Sequence, residues 1–359
     1  MPFTWGCDQI VTPTGEGKIQ RKMGKRNLGS LLPGIRFGHK VFPEEMVGMN
    51  PFGDYFYVDF ANGDDNQSGT SPAQAFKTLG RAHAVATTNQ GDVIILNGST
   101  GSHIQEAEML TWSKNRINVV GVGPFGAVDP QPEIQLSAAG NAADNAATLK
   151  VTGYGNTFTN IYISNAGTHA NAITALWDKG ENNVFTNCQF AHFENLNVAS
   201  VSHIIAGGDT TTWRNCKFGV DWIVMAAARF GAVMTAAGGE MKHNIYEDCY
   251  FTVQTADADY EHFHVGSTAG VTFGTILKNC IFFNVLNATN SAIACDDAVN
   301  SIAGLVAGNL LFVNPVCNST SFSSTANQLK ITGPAMSEFT GTDPTVNASA
   351  TIGIAITPD

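Results

Sequence analysis

The chain has 359 residues, of which only 14% are charged, with a formal net charge of −11. That length suits one elongated repeat domain with accessories, or two ordinary domains, and no apolar run is long enough to cross a bilayer. Charge is uneven: residues 1–40 hold seven bases (Lys18, Arg21, Lys22, Lys25, Arg26, Arg36, Lys40) and two acids (Asp8, Glu16), whereas the remainder, with 12 bases and 28 acids, is at −16 and excludes nucleic acid as a ligand of the body.

Residues 1–53 alternate Pro, Gly and basic residues with isolated apolar ones and keep neither helical nor strand periodicity, so they read as a non-repetitive attachment arm. The N-terminus has no basic-then-apolar leader, which sets the expectation of assembly in a cytoplasm. Residues 55–59 form a first strand, and residues 62–70 a polar loop. Ser71 is placed to cap a helix with Pro72 at its first position, and Ala75, Phe76, Leu79, Ala82 and Ala86 fall on one helical face. A turn at Gly91-Asp92 leads into residues 93–96. This strand–loop–helix–strand order over residues 54–96 is a means of covering the open end of a repeat protein. Asp59, Asp64 and Asp65 lack the ligand spacing of a calcium loop and suit self-bonding turns.

Residues 117–121 begin the next coil, and a Pro/Gly-rich excursion occupies residues 123–132. From residue 158 one layout recurs: Phe158-Thr159-Asn160-Ile161-Tyr162-Ile163, Phe185-Thr186-Asn187-Cys188-Gln189-Phe190, Trp213-Arg214-Asn215-Cys216-Lys217-Phe218, Tyr246-Glu247-Asp248-Cys249-Tyr250-Phe251, Leu277-Lys278-Asn279-Cys280-Ile281-Phe282 and a weaker copy over residues 307–312. The fixed polar residue falls at Asn160, Asn187, Asn215, Asp248, Asn279 and Asn309, in steps of 27, 28, 33, 31 and 30. A period near thirty means one supersecondary unit stacked on its copies.

The layout also identifies the unit. A flat strand keeps its inward residues on one parity, yet Phe185 is odd while Cys188 and Phe190 are even. Asn enters the left-handed region more readily than other non-Gly residues, so Asn187 bends the chain and resets the phase. Each segment is strand, Asn corner, strand, with Asn side chains in a ladder and Cys188, Cys216, Cys249 and Cys280 in a buried column. Residues 222–239, rich in Ala and Met, read as a loop or short helix leaving the coil. Beyond Phe312 the repeat fades, and residues 336–359 form a β-rich tail. None of the seven cysteines forms a C-x-x-C pair, so no metal site is expected.

The Asn corners and Cys/Phe columns resemble the pectate-lyase-like superfamily. The resemblance implies an all-β fold, a single-stranded right-handed parallel β-helix over residues 54–335 with an N-terminal capping helix. Enzymes of that superfamily use acidic calcium ligands with a basic residue, or clustered Asp residues with Gly-His-Gly and Arg-Ile-Lys motifs. Asp296-Asp297 resembles the Asp pair, but both companion motifs are absent, and adjacent strand residues face opposite sides. His262 and His264 share a strand face as two metal ligands would, with no evident third; an outer-surface position is the alternative. Trp177, Trp213 and Trp222 are candidates for stacking on sugars, although Trp213 occupies an inward position.

The arm, the capped helix and the β tail together resemble bacteriophage structural and spike proteins. That likeness implies a non-enzymatic virion component, as capsid decoration, fibre or spike, without a cofactor. It would be a homotrimer, docked through its arm on other virion proteins, with a host-surface glycan as a further partner. The alternative is a tail-spike depolymerase (polysaccharide lyase or glycoside hydrolase), or a glycan-binding module without catalysis.

Overall fold

A computed structural model describes residues 53–98, 103–123, 131–136, 146–167, 171–192, 202–225, 230–234, 243–255, 260–265, 274–285, 293–296, 310–314, 316–317, 329–332 and 336–337. Residues 1–52, read as an attachment arm, Asp297, Asn309 and residues 338–359 lie outside these residues.

The chain winds through three parallel sheets in turn. The first has ten strands, Tyr55–Asp59, Val93–Asn97, Asn118–Val122, Thr157–Thr159, Val184–Thr186, Thr212–Arg214, Ile245–Glu247, Thr275–Lys278, Leu310–Val313 and Leu329–Thr332. The second aligns Ile104–Glu106, Glu133–Leu136, Tyr162–Asn165, Gln189–His192, Lys217–Phe218, Tyr250–Thr255, Ile281–Asn284, Val316–Cys317 and Met336–Ser337. The third aligns Leu110–Trp112, Ala147–Val151, Thr174–Asp178, Ser202–Ala206, Phe230–Met234, Glu261–Val265 and Ile293–Asp296. Successive strands of each sheet pair in parallel, as in Phe185 opposite Phe158 and Trp213. This is the right-handed parallel β-helix expected from the repeat.

The corner between the first and second sheets is made by the polar residue of each repeat. Asn160, Asn187, Asn215, Asp248 and Asn279 have φ of 57°, 54°, 50°, 55° and 53°. Their side chains link rungs: Asn215 Nδ2 donates to Asn187 Oδ1 at 2.8 Å, and Asn279 Nδ2 to Asp248 Oδ1 at 3.0 Å. The sixth corner is Asn314, not Asn309. Its φ is 50°, its Nδ2 donates to Asn279 Oδ1 at 3.2 Å, and Val313 pairs with Lys278. Phe312 is therefore the aromatic residue before a corner, opposite Leu277, and not the one after it.

Asn215→Ala is expected to lose about 1–2 kcal/mol for the left-handed backbone, plus the ladder bond. Asn215→Gly should recover the backbone part. Denaturant midpoints ordered wild type, Gly, Ala test this, and equal losses in both variants would remove the backbone explanation.

A second left-handed column closes each coil between the third and first sheets, at Arg116, Gly155, Asn182, Thr210, His243 and Gly274, with φ between 54° and 70°. Buried residues follow it. Asn156 Oδ1 accepts from the Ile117 N–H at 3.0 Å, Asn183 Oδ1 from the Asn156 N–H at 2.9 Å, and Asn244 Oδ1 from the Thr211 N–H at 2.7 Å.

Inside, the apolar residues flanking each Asn pile along the axis. Phe158, Phe185, Trp213 and Tyr246 stack at ring separations of 4.9, 4.2 and 5.8 Å, and Phe190, Phe218, Phe251 and Phe282 at 5.5, 4.6 and 4.9 Å. Cys188, Cys216, Cys249 and Cys280 are buried and free. Each donates its thiol to a carbonyl of an earlier rung: Phe158, Phe185, Trp213 and Tyr246 respectively. Burial pushes the thiols of Cys216, Cys249 and Cys280 well up, so they stay protonated hydrophobes.

The N-terminal helix is shorter than its apolar spacing predicts. Pro72–Gln74 is one 3-10 turn, and the Ser71 side chain caps nothing. The helix proper is Leu79–Val85, capped by Thr78, whose side chain accepts from the Arg81 N–H. Between them the chain extends, because Phe76 bridges to Val58 and bonds the backbone of Tyr57 and Asp59. Ala75, Phe76, Leu79, Ala82 and Ala86 are nevertheless all buried. Glu106 accepts from the Leu79 and Gly80 N–H groups at the helix start. The polar loop is made of turns: Asp59, Asp64 and Asp65 accept from nearby N–H groups, Asp65 from Lys77 and Thr78.

Candidate functional site

The sequence candidates divide. Asp296 ends the strand Ile293–Asp296, where its backbone pairs opposite His264, so these two fall on neighbouring rungs of the third sheet. His264 Nδ1 meets the Glu261 carboxylate. His262 is fully buried, with its ring between Tyr260 and Phe282 and both nitrogens without a hydrogen-bond partner. Burial pulls its pKa down to about 3, so it is neutral. An outer-surface pair of histidines is thus corrected. Residues flanking it pack against it from both sides, and no cluster of three or more metal-ligating side chains exists among the described residues. Glu261 is likewise buried, at 7% exposure.

A different face gathers more chemistry. The second sheet turns Ile134, Ile163, Phe190, Phe218 and Phe251 inward, all fully buried. Their neighbours in sequence therefore point outward. Register places Glu133, Tyr162, Gln189, Lys217, Tyr250 and Ile281 side by side on successive rungs, about 4.8 Å apart. In the repeat this row is the variable position between the residue after Asn and the Phe.

A flap crosses beside the row. After Phe218 the chain turns at Gly219, with φ of 96°, where a Cβ would lie 2.1 Å from the Thr252 carbonyl oxygen. Val220 then packs with Ala191, Val253 and Tyr260 over the outer face of the sheet. Val224–Met225 pairs in parallel with Gln254 and Thr255. Residues 222–239 are therefore not wholly an excursion, since Phe230–Met234 returns as a strand of the third sheet. Pinned at both ends, the flap holds Trp222 at 52% exposure. Lys217 Nζ lies 5.8 Å from the Trp222 ring and 3.8 Å from Asp221 Oδ2.

At the other end, Ser164 donates to Glu133, whose second oxygen meets His103 Nδ1. Gln135 Nε2 donates to Ser164 Oγ at 3.2 Å. The acid stands between serine and histidine, whereas an activated serine needs the histidine in the middle. Glu133 and Lys217, which holds Asp221, stand three rungs apart, about 14 Å along the sheet. Burial raises the phenols of Tyr162 and Tyr250 above their usual range, with Glu133 and Asp221 adding to it, so both remain donors. The face lines up acceptors, donors and ring surfaces, with Gln189 and Lys217 buried and Glu133, Tyr162 and Tyr250 half-buried. Of the tryptophans read as sugar platforms, Trp213 is core and Trp222 is presented.

No protein-family model and no curated protein sequence matches the chain. Among solved structures it is similar to the pectin methylesterase from Aspergillus niger, at 15% identity over 86% of this chain and 92% of that one, with a TM-score of 0.50. A pectate lyase aligns at 14% identity over 84% and 81% with a TM-score of 0.49, and the pectin methylesterase from Erwinia chrysanthemi at 12% over 80% and 90% with 0.47. At such identities the likeness is one of fold. The chain is a right-handed parallel β-helix, and its neighbours are β-helix carbohydrate-active enzymes; nothing among them supports a virion role.

Proposed function

We propose that this protein is a glycan-engaging β-helix that holds a saccharide chain along the outer face of its second sheet. The observation that carries this is the exposed Trp222, pinned by the flap beside the row Tyr162, Gln189, Lys217 and Tyr250. An exposed aromatic face beside hydrogen-bonding groups is suited to a sugar ring, which is apolar on its faces and polar at its rim. Side chains repeated rung by rung suit a ligand that is itself a repeat. A virion role stays compatible with this and rests on the resemblance carried by the basic arm, the capped helix and the β tail.

The test is calorimetric titration of a panel of neutral and acidic polysaccharides, with reducing ends and unsaturated products measured in parallel. Saturable binding without new reducing ends or unsaturated products is expected. Trp222→Ala should weaken it about tenfold or more with an unchanged melting temperature, as for an interface aromatic anchor. Binding indifferent to Trp222→Ala would overturn the assignment of this face, and release of products would replace binding with cleavage.

A further inference from the structure

Outside that face, two lysines share one indole and make no ion pair among the described residues. Trp177 lies on the third sheet with Lys150 beside it on the neighbouring rung and Lys179 two residues on. Leu176 and Val151, adjacent to Trp177 and Lys150, are fully buried, so Trp177 and Lys150 point outward. Lys150 Nζ is 5.2 Å and Lys179 Nζ 4.1 Å from the centre of the Trp177 ring. All three side chains are half-buried.

Two ammonium groups are thus drawn to one indole, although like charges repel and the body around them is strongly acidic. The ring attracts both through its negative face. Neither makes an ion pair among the described residues, whose pairs involve His103, Arg214, Lys217, His264 and Lys278. The indole N–H of Trp177 is shielded from water and has no acceptor. Two ammonium groups and a buried indole N–H therefore lie together without an acceptor among the described residues.

We infer that Lys150, Trp177 and Lys179 form a second binding site, for an anionic ligand that presents a carboxylate or sulfate group. The oxyanion is the counter-charge that the two ammonium groups lack. That the anion is carried on a saccharide rests on the function proposed above; the anion site itself does not. The separation from the second-sheet row makes the two sites independent, each with its own tryptophan.

The experiment titrates the full chain at low salt with an oligogalacturonate, a heparin-derived oligosaccharide and a neutral maltooligosaccharide. Saturable binding of at least one charged ligand and none of the neutral one at this site is expected. Lys150→Gln with Lys179→Gln should weaken it about tenfold or more, also in a Trp222→Ala background, and raised salt should weaken it further. Lys150→Arg with Lys179→Arg, which keeps both charges, should retain most of the affinity. The inference fails if charged and neutral ligands bind alike, or if the Gln variant binds the charged ligands as wild type does. No further loss from the Gln pair in the Trp222→Ala background would also overturn it, since one site would then account for both.

Discussion

Phe190→Asp is expected to abolish cooperative folding of the central coils. Phe190 is fully buried, stacks on Phe218 at 5.5 Å, and meets the ring edges of Phe185 and Trp213 at 5.9 and 5.6 Å. Removing a core Phe side chain down to Ala typically costs about 3–5 kcal/mol. The carboxylate adds a second penalty, because nothing described around it donates a hydrogen bond and the group must be buried charged or take up a proton. Domains are stable by about 5–15 kcal/mol in total. In a solenoid each rung is held by its neighbours, so the defect removes support from the rungs of Ile163 and Phe218 on either side. Phe190→Leu, which keeps an apolar side chain, should unfold cooperatively at a lower temperature. Circular dichroism melting and limited proteolysis distinguish these outcomes. A wild-type melting temperature for the Asp variant would mean that the interior is not where the aromatic column places it.

The Phe190 column was legible in the sequence because the Asn corner leaves a signature in residue type. Few side chains other than Asn, Asp and Gly tolerate the left-handed region, so the corner writes itself as a recurring Asn, and the phase change around it fixes which residues turn inward. The second corner makes the same backbone demand but uses Arg116, Asn182, Thr210 and His243 as well as glycines. With no common residue it leaves no pattern. The error at Asn309 has a related cause. Phe312 was aligned with the aromatic after the corner, whereas the register shows it before the corner, and the true step from Asn279 to Asn314 is the longest of the series.

The candidate site was hidden for the opposite reason. Its row occupies the position that varies from repeat to repeat, Tyr162, Gln189, Lys217, Tyr250 and Ile281, which a search for repetition discards. Only parallel register brings these residues, 27 to 33 apart in the chain, onto adjacent rungs. Likewise Lys150 and Lys179 are sparse bases in the sequence, and it is the pairing of Lys150 with Trp177 that unites them. The interior is specified by what repeats, and the surface chemistry by what does not.

Asp178→Asn is expected to become progressively more stabilising relative to wild type as pH rises from about 4 to 7. Asp178 is fully buried beside the inner Asn ladder. Burial raises its pKa from 3.8 to about 7, against the opposing bonds from Thr211, Asn183 and Gly180. The protonated carboxyl is thus favoured by the fold, and its contribution is complete below the unfolded pKa and lost as pH climbs through the folded one. Over a window of about three units the difference from a residue that cannot ionise amounts to about 4 kcal/mol. Wild type alone will not display it. Glu106, raised to about 7 by burial, adds a loss over the same range. His83 and His262, depressed by burial to about 4 and 3, oppose both, because the unfolded chain binds their protons below 6.5 and stability rises with pH there. In wild type these falling and rising contributions oppose one another, so the difference from the variant isolates Asp178. Asp178→Asn removes one falling contribution, so the variant should gain about 1.4 kcal/mol per pH unit over wild type in that range. The amide fits the same partners: its oxygen accepts from the Gly180 N–H and Asn183 Nδ2, and its nitrogen donates to Thr211 Oγ1, which lies 2.9 Å from the present carboxylate. Urea midpoints of both proteins at several pH values provide the measurement. A difference between them that does not change with pH would show that Asp178 is ionised throughout, held so by its three donors against the cost of burial.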